Sequence, residues 1–281
     1  MSIIVPLIKA YEAHGFTIST GLNSFLFNNA RAAPFTWLMR NGRSVTEGLG
    51  IALQEVHFFE QLCAASQPKR VFVIGNSFGW STIALGLINP KSRIVAIDAG
   101  YDHNSLEGLE LTNLISSELG LNVSATLGTS PQDVDKIIAT QLDGPIDLAF
   151  IDGLHTNEQV LKDALAVWPH LSPEGIMVFH DVIMCGLTPA MKEIGEKLGQ
   201  APETMWMTPS GISVLSRSRV PEVAELLRIY AGSEEGRNIL SAKAEWERER
   251  QRWRRVKKWK RSIAKRLGFH SSKPTFHTGE I

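Results

Sequence analysis

The sequence contains only two cysteines in 281 residues. Cys63 and Cys185 lie far apart and in no Cys-x-x-Cys spacing, which argues against a disulfide framework or a cysteine-held zinc and suits a reducing, cytoplasmic location. No apolar run approaches the ~20 residues of a membrane span. The opening Met1-Ser-Ile-Ile-Val-Pro-Leu-Ile has no basic stretch and no small-residue cleavage site, so no signal peptide is expected. There is no internal repeat, and no net formal charge: 29 basic residues balance 29 acidic ones. What is present is a 43% hydrophobic share, ordinary for a chain that buries a full core.

The zero net charge is an average over unequal parts. Between Lys243 and Arg266, twelve Lys and Arg face three Glu, a surplus of nine that the rest of the chain must offset. Residues 233–267 hold no proline, and their one glycine, Gly236, lies near the start, so the stretch reads as one long helix. Trp246, Trp253, Val256, Ile263 and Leu267 share a face of it, between sides rich in Arg and Lys. Three partners are open: the domain itself or a second copy of the chain in a homo-oligomer, an anionic membrane surface that would place the protein peripherally, or nucleic acid phosphates, the least favoured. The polar residues 268–281 read as a disordered tail.

Short apolar runs alternate with amphipathic ones through the middle of the chain. Strands are expected at Val71–Ile74, Arg93–Ile97, Val123–Leu127, Ile146–Ile151 and Gly175–Phe179. Helices are expected at 47–66, 81–88, 106–119, 131–141, 157–168, 189–198 and 222–231, with a closing strand pair near 204–207 and 212–215. This is the pattern of an α/β fold, a doubly wound, mostly parallel seven-stranded sheet with helices on both faces. Residues 1–46 read as a short helix or two plus loops. The divisions are an N-terminal helical cap (1–68), a central domain (69–218) and C-terminal helices (219–267).

In such a sheet ligands bind beyond the carboxyl ends of the strands. The residues there are Gly75-Asn76-Ser77-Phe78-Gly79, Asp98, Asp152 to His155, and His180-Asp181. Gly75 and Gly79 permit a tight strand-to-helix turn with a close backbone approach, and the next helix directs its N-terminal N–H groups at that turn. Asp98, at the end of the following strand, is placed to accept hydrogen bonds from ribose hydroxyls. The loop lacks the Gly-x-Gly-x-x-Gly of a dinucleotide site, which leaves S-adenosylmethionine, a nucleoside without phosphate, as the cofactor that suits it.

The segments VFVIGNSFGWST, RIVAIDAG and PIDLAFIDGLHTNEQVLKDALAVWPHLSPEGIMVFHDV resemble the class I S-adenosylmethionine-dependent methyltransferases, in the O-methyltransferase-like branch whose strands end in Phe-Ile-Asp-Gly-x-His and His-Asp. The likeness covers about residues 47–216. It departs at Val73, where an acid is usual, and at Ser77, where glycine is usual. It implies that Gly75, Asn76, Ser77, Gly79, Asp98 and Asp152 bind the cofactor, with Gly128, Thr129 and Ser130 near the adenine. By the same likeness His155 would be the general base, and Asp152 and Asp181 would hold a metal.

An alcohol needs a base or a metal to lose its proton. Two carboxylates on adjacent strand ends crowd each other unless a cation or proton lies between them, and oxygen donors suit Mg²⁺. His180 is the candidate third ligand, since Val182 stands where the likeness would put Asn or Glu. The resulting reading is O-methylation of a hydroxyl on a sugar, glycan or other small molecule, with magnesium assisting. The alternative is a catalytically silent binding module on the same fold, and a nicotinamide oxidoreductase comes third. Trp80 is expected to pack the glycine loop and His57 to be structural.

Overall fold

In the computed structural model of the protein, the described residues are 2–23, 32–45, 50–102 and 104–234, with 238 and 252 besides. Residues 1–232 form one compact unit and 233–281 another. The long basic helix and the tail expected from residue 233 onward fall almost wholly outside the described residues. Among the described residues no helix is long and apolar enough to cross a membrane.

The first unit begins with α1 (Ile4–Glu12), then β1 (Thr17–Ser19), β2 (Trp37–Arg40), β3 (Arg43–Ser44) and α2 (Leu53–Ser66). The expectation of one or two helices with loops is corrected here, because β1, β2 and β3 pair antiparallel into a small sheet. Its hairpin turns at Asn41-Gly42, with φ of 53° and 72° and Arg40 opposite Arg43. An Asn-Gly pair with both φ angles positive is the two-residue turn that matches strand twist.

The main sheet follows: β4 (Arg70–Ile74), α3 (Trp80–Ile88), β5 (Arg93–Asp98), α4 (Ser105–Glu118), β6 (Val123–Leu127), α5 (Val134–Gln141), β7 (Ile146–Ile151), α6 (Asn157–Val167), β8 (Leu171–Phe179), α7 (Thr188–Leu198), β9 (Glu203–Thr204), β10 (Ser213–Ser216) and α8 (Pro221–Ala231). Its seven strands lie in the order β6-β5-β4-β7-β8-β10-β9. The first five are parallel, and β10 runs antiparallel to β8 and to β9. β8 begins at Leu171, earlier than expected, because its Leu171 pairs with Ile146 across a register shift.

Successive side chains of β4 serve opposite faces, as strand geometry requires. Val71 and Val73 join one core with Phe58, Phe59, Ile83, Phe150 and Leu227. Phe72 and Ile74 join the other with Val95, Ile137, Val160, Met177 and Ile194. Burial on both faces is why these strands read as unbroken apolar runs. The strand order reverses at β4, so the loops after β4, β5, β7 and β8 gather at one edge of the sheet.

Candidate active site

The glycine turn comes first. Gly75 has φ +94°, and a Cβ built on it would lie 2.1 Å from the backbone oxygen of Asp152. Gly79, at φ +76°, would set its Cβ 2.1 Å from Thr112 Oγ1. The close approach that both glycines permit is therefore to the protein's own atoms. Gly75 seats the turn after β4 directly on the turn after β7, and that contact fixes where Asp152 stands.

The other loop residues are mostly engaged internally. Asn76 is buried; its amide donates to Ser77 O and Thr112 Oγ1, and its side-chain oxygen accepts from Thr82. Asp98 Oδ2 accepts the backbone N–H groups of Asn76 (2.9 Å) and Ser77 (2.8 Å), and its Oδ1 accepts that of Gly100 (2.9 Å). A carboxylate offers about four acceptor positions, so Asp98 shapes the turn first and keeps little capacity for a ribose. Tyr11 on α1 donates to Phe78 O (2.8 Å), and Trp80 Nε1 donates to Ile51 O (3.2 Å), so the N-terminal segment clamps this turn. Trp80 thus packs the loop as expected. His57 is exposed and meets Glu60.

Beyond β6, the N–H and hydroxyl of Thr129 both donate to Asp133 Oδ2 (2.8 Å each). Gly128 N–H donates to Asp98 O (2.9 Å), which ties this loop to the neighbouring strand end. Gln159 bridges the backbone oxygen of Ser130 and Asp163 Oδ1, at 2.8 and 2.7 Å. Burial pushes the Asp163 carboxyl up to about 6. Tyr101 and Leu127 project exposed apolar surface at the ends of β5 and β6, which suits a flat nucleobase.

At β7 and β8 the titratable groups meet. His155 Nε2 lies 3.3 Å from Asp152 Oδ1, and its Nδ1 lies 3.5 Å from Asp181 Oδ2. His180 Nδ1 lies 3.0 Å from Asp152 Oδ1 and 3.4 Å from Asp181 Oδ1. Its other nitrogen, Nε2, lies 3.0 Å from Glu55 Oε2. Atoms of Asp152, His155 and His180 able to bind a metal fall within 4.8 Å of one another, as do those of His155, Asp181 and Cys185. The expected trio of Asp152, His180 and Asp181 is not one of these sets: Asp152 and His180 fall in the first and Asp181 in the second, and His155 is common to both.

Glu55 was not singled out from the sequence. It occupies the third position of α2, reaches back to the Ala52 N–H (2.9 Å), and accepts from the Ser210 N–H (3.0 Å) and the Ser210 hydroxyl. The available signal was a lone acid among Ile51, Ala52, Val56, Phe58 and Phe59, where a carboxylate cannot be buried without partners.

The field in this cluster is uneven. Burial works to raise the Asp152 carboxyl, but the His180 charge and hydrogen bonds from both histidines outweigh it, holding Asp152 well below the usual carboxylate range. Burial works to lower His155, yet the hydrogen bond and charge of Asp152, with Asp181, leave it above its ordinary value. His180 is likewise opposed by burial and held well above its ordinary value by Asp152 and Glu55.

The family model described as a methyltransferase domain matches residues 72–182, from β4 through the end of β8 and its His180-Asp181. Over that stretch the chain is similar to a methyltransferase domain. The domain is similar in fold to three solved structures. An O-methyltransferase of Bacillus cereus in complex with SAH is 15% identical, with 59% of this chain and 82% of that one covered and a TM-score of 0.47. TomG of Streptomyces achromogenes, an O-methyltransferase involved in tomaymycin synthesis and solved with SAM, is 16% identical, with 60% and 82% covered and a TM-score of 0.48. Cofactor-bound Rv0187 from MTB is 18% identical, with 77% and 90% covered and a TM-score of 0.49.

Proposed function

We propose that the methyltransferase domain moves a methyl group from S-adenosylmethionine to a hydroxyl of a sugar, glycan or other small molecule. The observation that carries this reading is the Asp152–His155 pair, held at 3.3 Å beside the glycine turn. The residues present suit the cofactor: an acceptor position left on Asp98 beside its three backbone N–H partners, exposed apolar surface at Tyr101 and Leu127, and a turn locked in place. Bound there, S-adenosylmethionine supplies an electrophilic methyl on a good leaving group.

Asp152 Oδ1 takes the proton-bearing Nε2 of His155, which leaves the lone pair on Nδ1. Nδ1 then accepts the proton of the acceptor hydroxyl, and Asp181 Oδ2 at 3.5 Å stabilises the imidazolium that forms. Orientation adds to this, because His155 is pinned between two acids and loses little freedom when the acceptor docks. The ligand atoms of Asp152, Asp181 and His180 do not gather into one set of metal-ligand spacing, so no step here runs through a dication. Leu154, Ile183, Trp206 and Met207 leave apolar surface exposed on loops at the same edge of the sheet; they suit an acceptor with an apolar part.

The second reading, a binding module without catalysis, is favoured by Val73, by Ser77 (φ 45°) and by the engagement of Asp98 with three backbone N–H groups. A labelled-methyl transfer screen over glycans, phenols and lipids separates the two. Transfer that is lost in His155→Ala while cofactor binding persists supports the enzyme. Cofactor binding without transfer to any acceptor class supports the module.

A further inference from the structure

Glu55 is a fully buried acid that the proposed transfer does not use. Both of its oxygens are committed. Oε1 accepts the Ser210 N–H (3.0 Å) and the Ser210 hydroxyl. Oε2 accepts the Ala52 N–H (2.9 Å) and meets His180 Nε2 at 3.0 Å. An ionised carboxylate only accepts, at about four positions, so Glu55 is saturated and the His180 nitrogen facing it is the N–H of that pair. These bonds join the start of α2, the end of β8 and the turn between β9 and β10. Two routes lead on from them. The first is the His180 ring, 3% exposed and held edge-on by Phe35 and Phe150, with centroids 6.4 and 5.9 Å away. Its Nδ1 lies 3.0 Å from Asp152 Oδ1, the oxygen that also meets His155 Nε2 at 3.3 Å. The second is the Ser210 backbone, whose carbonyl accepts the N–H groups of Ile183 (3.1 Å) and Met184 (3.2 Å). Those bonds hold the loop that follows Asp181, which sits at φ +55°. A non-glycine residue keeps such a backbone only where its surroundings fix it.

We propose that Glu55 is the positioning residue of this site: acting through His180 and Ser210, it sets where Asp152 and Asp181 stand, and so how the two acids hold the His155 ring. A buried polar network that is fully satisfied rigidifies the segments it joins. His155 needs that rigidity, because a base works only while its ring keeps one tautomer and one orientation towards the acceptor. Glu55→Gln tests the role without changing the shape of the side chain. One acceptor oxygen becomes an NH₂, which cannot accept from both Ala52 and His180. The His180 ring must then turn, or Nε2 must become the acceptor of the pair, and either change reaches Asp152 Oδ1. The inference rests on the proposed methyl transfer for its consequence in catalysis; the tie between Glu55 and His155 stands on the geometry.

The test uses the full chain labelled with ¹⁵N-histidine and needs neither cofactor nor acceptor. Long-range ¹H–¹⁵N spectra report which ring nitrogens carry protons, and His155→Ala and His180→Ala assign the two rings. The wild-type protein is expected to show a protonated Nε2 on His180. Glu55→Gln is expected to move the ring signals of both His180 and His155. Val56→Ala, which loosens the apolar core beside Glu55 without touching its hydrogen bonds, should leave His155 where it was. Once the labelled-methyl screen supplies an acceptor, Glu55→Gln should lower kcat by up to ~100-fold and leave KM for S-adenosylmethionine unchanged. An unprotonated His180 Nε2 in the wild-type protein, unmoved His155 signals in folded Glu55→Gln, or an equal shift in Val56→Ala would overturn the proposal. Should Glu55→Gln misfold, as judged by circular dichroism, Ser210→Ala, which removes only the hydroxyl donor, is read in the same way, and the wild-type spectrum decides if neither folds. The two readings fail separately: unmoved His155 signals in a protein that transfers methyl sink only this inference, whereas a shifted His155 in a protein that binds no S-adenosylmethionine sinks the methyltransferase reading.

Discussion

Gly75→Ala separates a packing requirement from a purely conformational one. Two terms act on it. An alanine at positive φ costs about 1–2 kcal/mol. Its Cβ would also lie 2.1 Å from Asp152 O, a backbone atom with no rotamer to give way, and overpacking of that kind costs about 1–3 kcal/mol. The total is roughly 2–5 kcal/mol. Gly15→Ala is the control, since Gly15 has φ +79° and nothing within 4 Å of its Cβ position, so only the first term acts. The entropy lost from the unfolded chain, about 0.4–1 kcal/mol in favour of alanine, is common to both and cancels. Urea unfolding followed by circular dichroism gives both values, and Gly75→Ala should exceed Gly15→Ala by about 1–3 kcal/mol. Equal losses would refute the claim that the turn after β4 rests on the turn after β7. A folded Gly75→Ala should also lose methyl transfer, because the same contact positions Asp152.

Three further outcomes are expected. Methyl transfer by chelator-treated enzyme should rise with pH through a midpoint above the ordinary histidine value, because His155 acts as a base only when neutral and Asp152 and Asp181 outweigh the lowering by burial; Asp181→Asn should move the midpoint down, and an unmoved midpoint in a pH–rate series would remove His155 as the titrating group. Asp163 is raised to about 6 from 3.8, so the native state holds its proton more tightly than the unfolded chain and stability falls as pH rises between those values, by roughly 3 kcal/mol at most; Asp163→Asn, which still accepts from Gln159, should flatten that part of the stability-versus-pH curve in urea titrations. The Cys63 thiol is buried and pushed up to about 12, whereas Cys185 is exposed, so iodoacetamide at pH 8 should label Cys185 first by mass spectrometry.

The parallel sheet was legible because its strands are buried on both faces and so read as apolar runs bounded by Gly, Pro and Asp. The site residues were legible because they sit one step past those runs, where the topology delivers them to one edge. The small N-terminal sheet was not foreseen, although Asn41-Gly42 is a strong hairpin signal, because its strands are two to four residues long and show little period-2 alternation. Glu55 was hidden for a different reason. It lies 97 residues from Asp152 and 125 from His180 in sequence, and only tertiary packing brings it to His180 Nε2. The glycine turn carried a half-correct message: a close approach is required, but what approaches is Asp152 and Thr112.

Cofactor binding tests the account most directly. Calorimetric titration of the full chain with S-adenosylmethionine should show a single saturable site, weakened by Asp98→Ala in protein that remains folded by circular dichroism. No heat of binding at millimolar S-adenosylmethionine would contradict the methyltransferase reading.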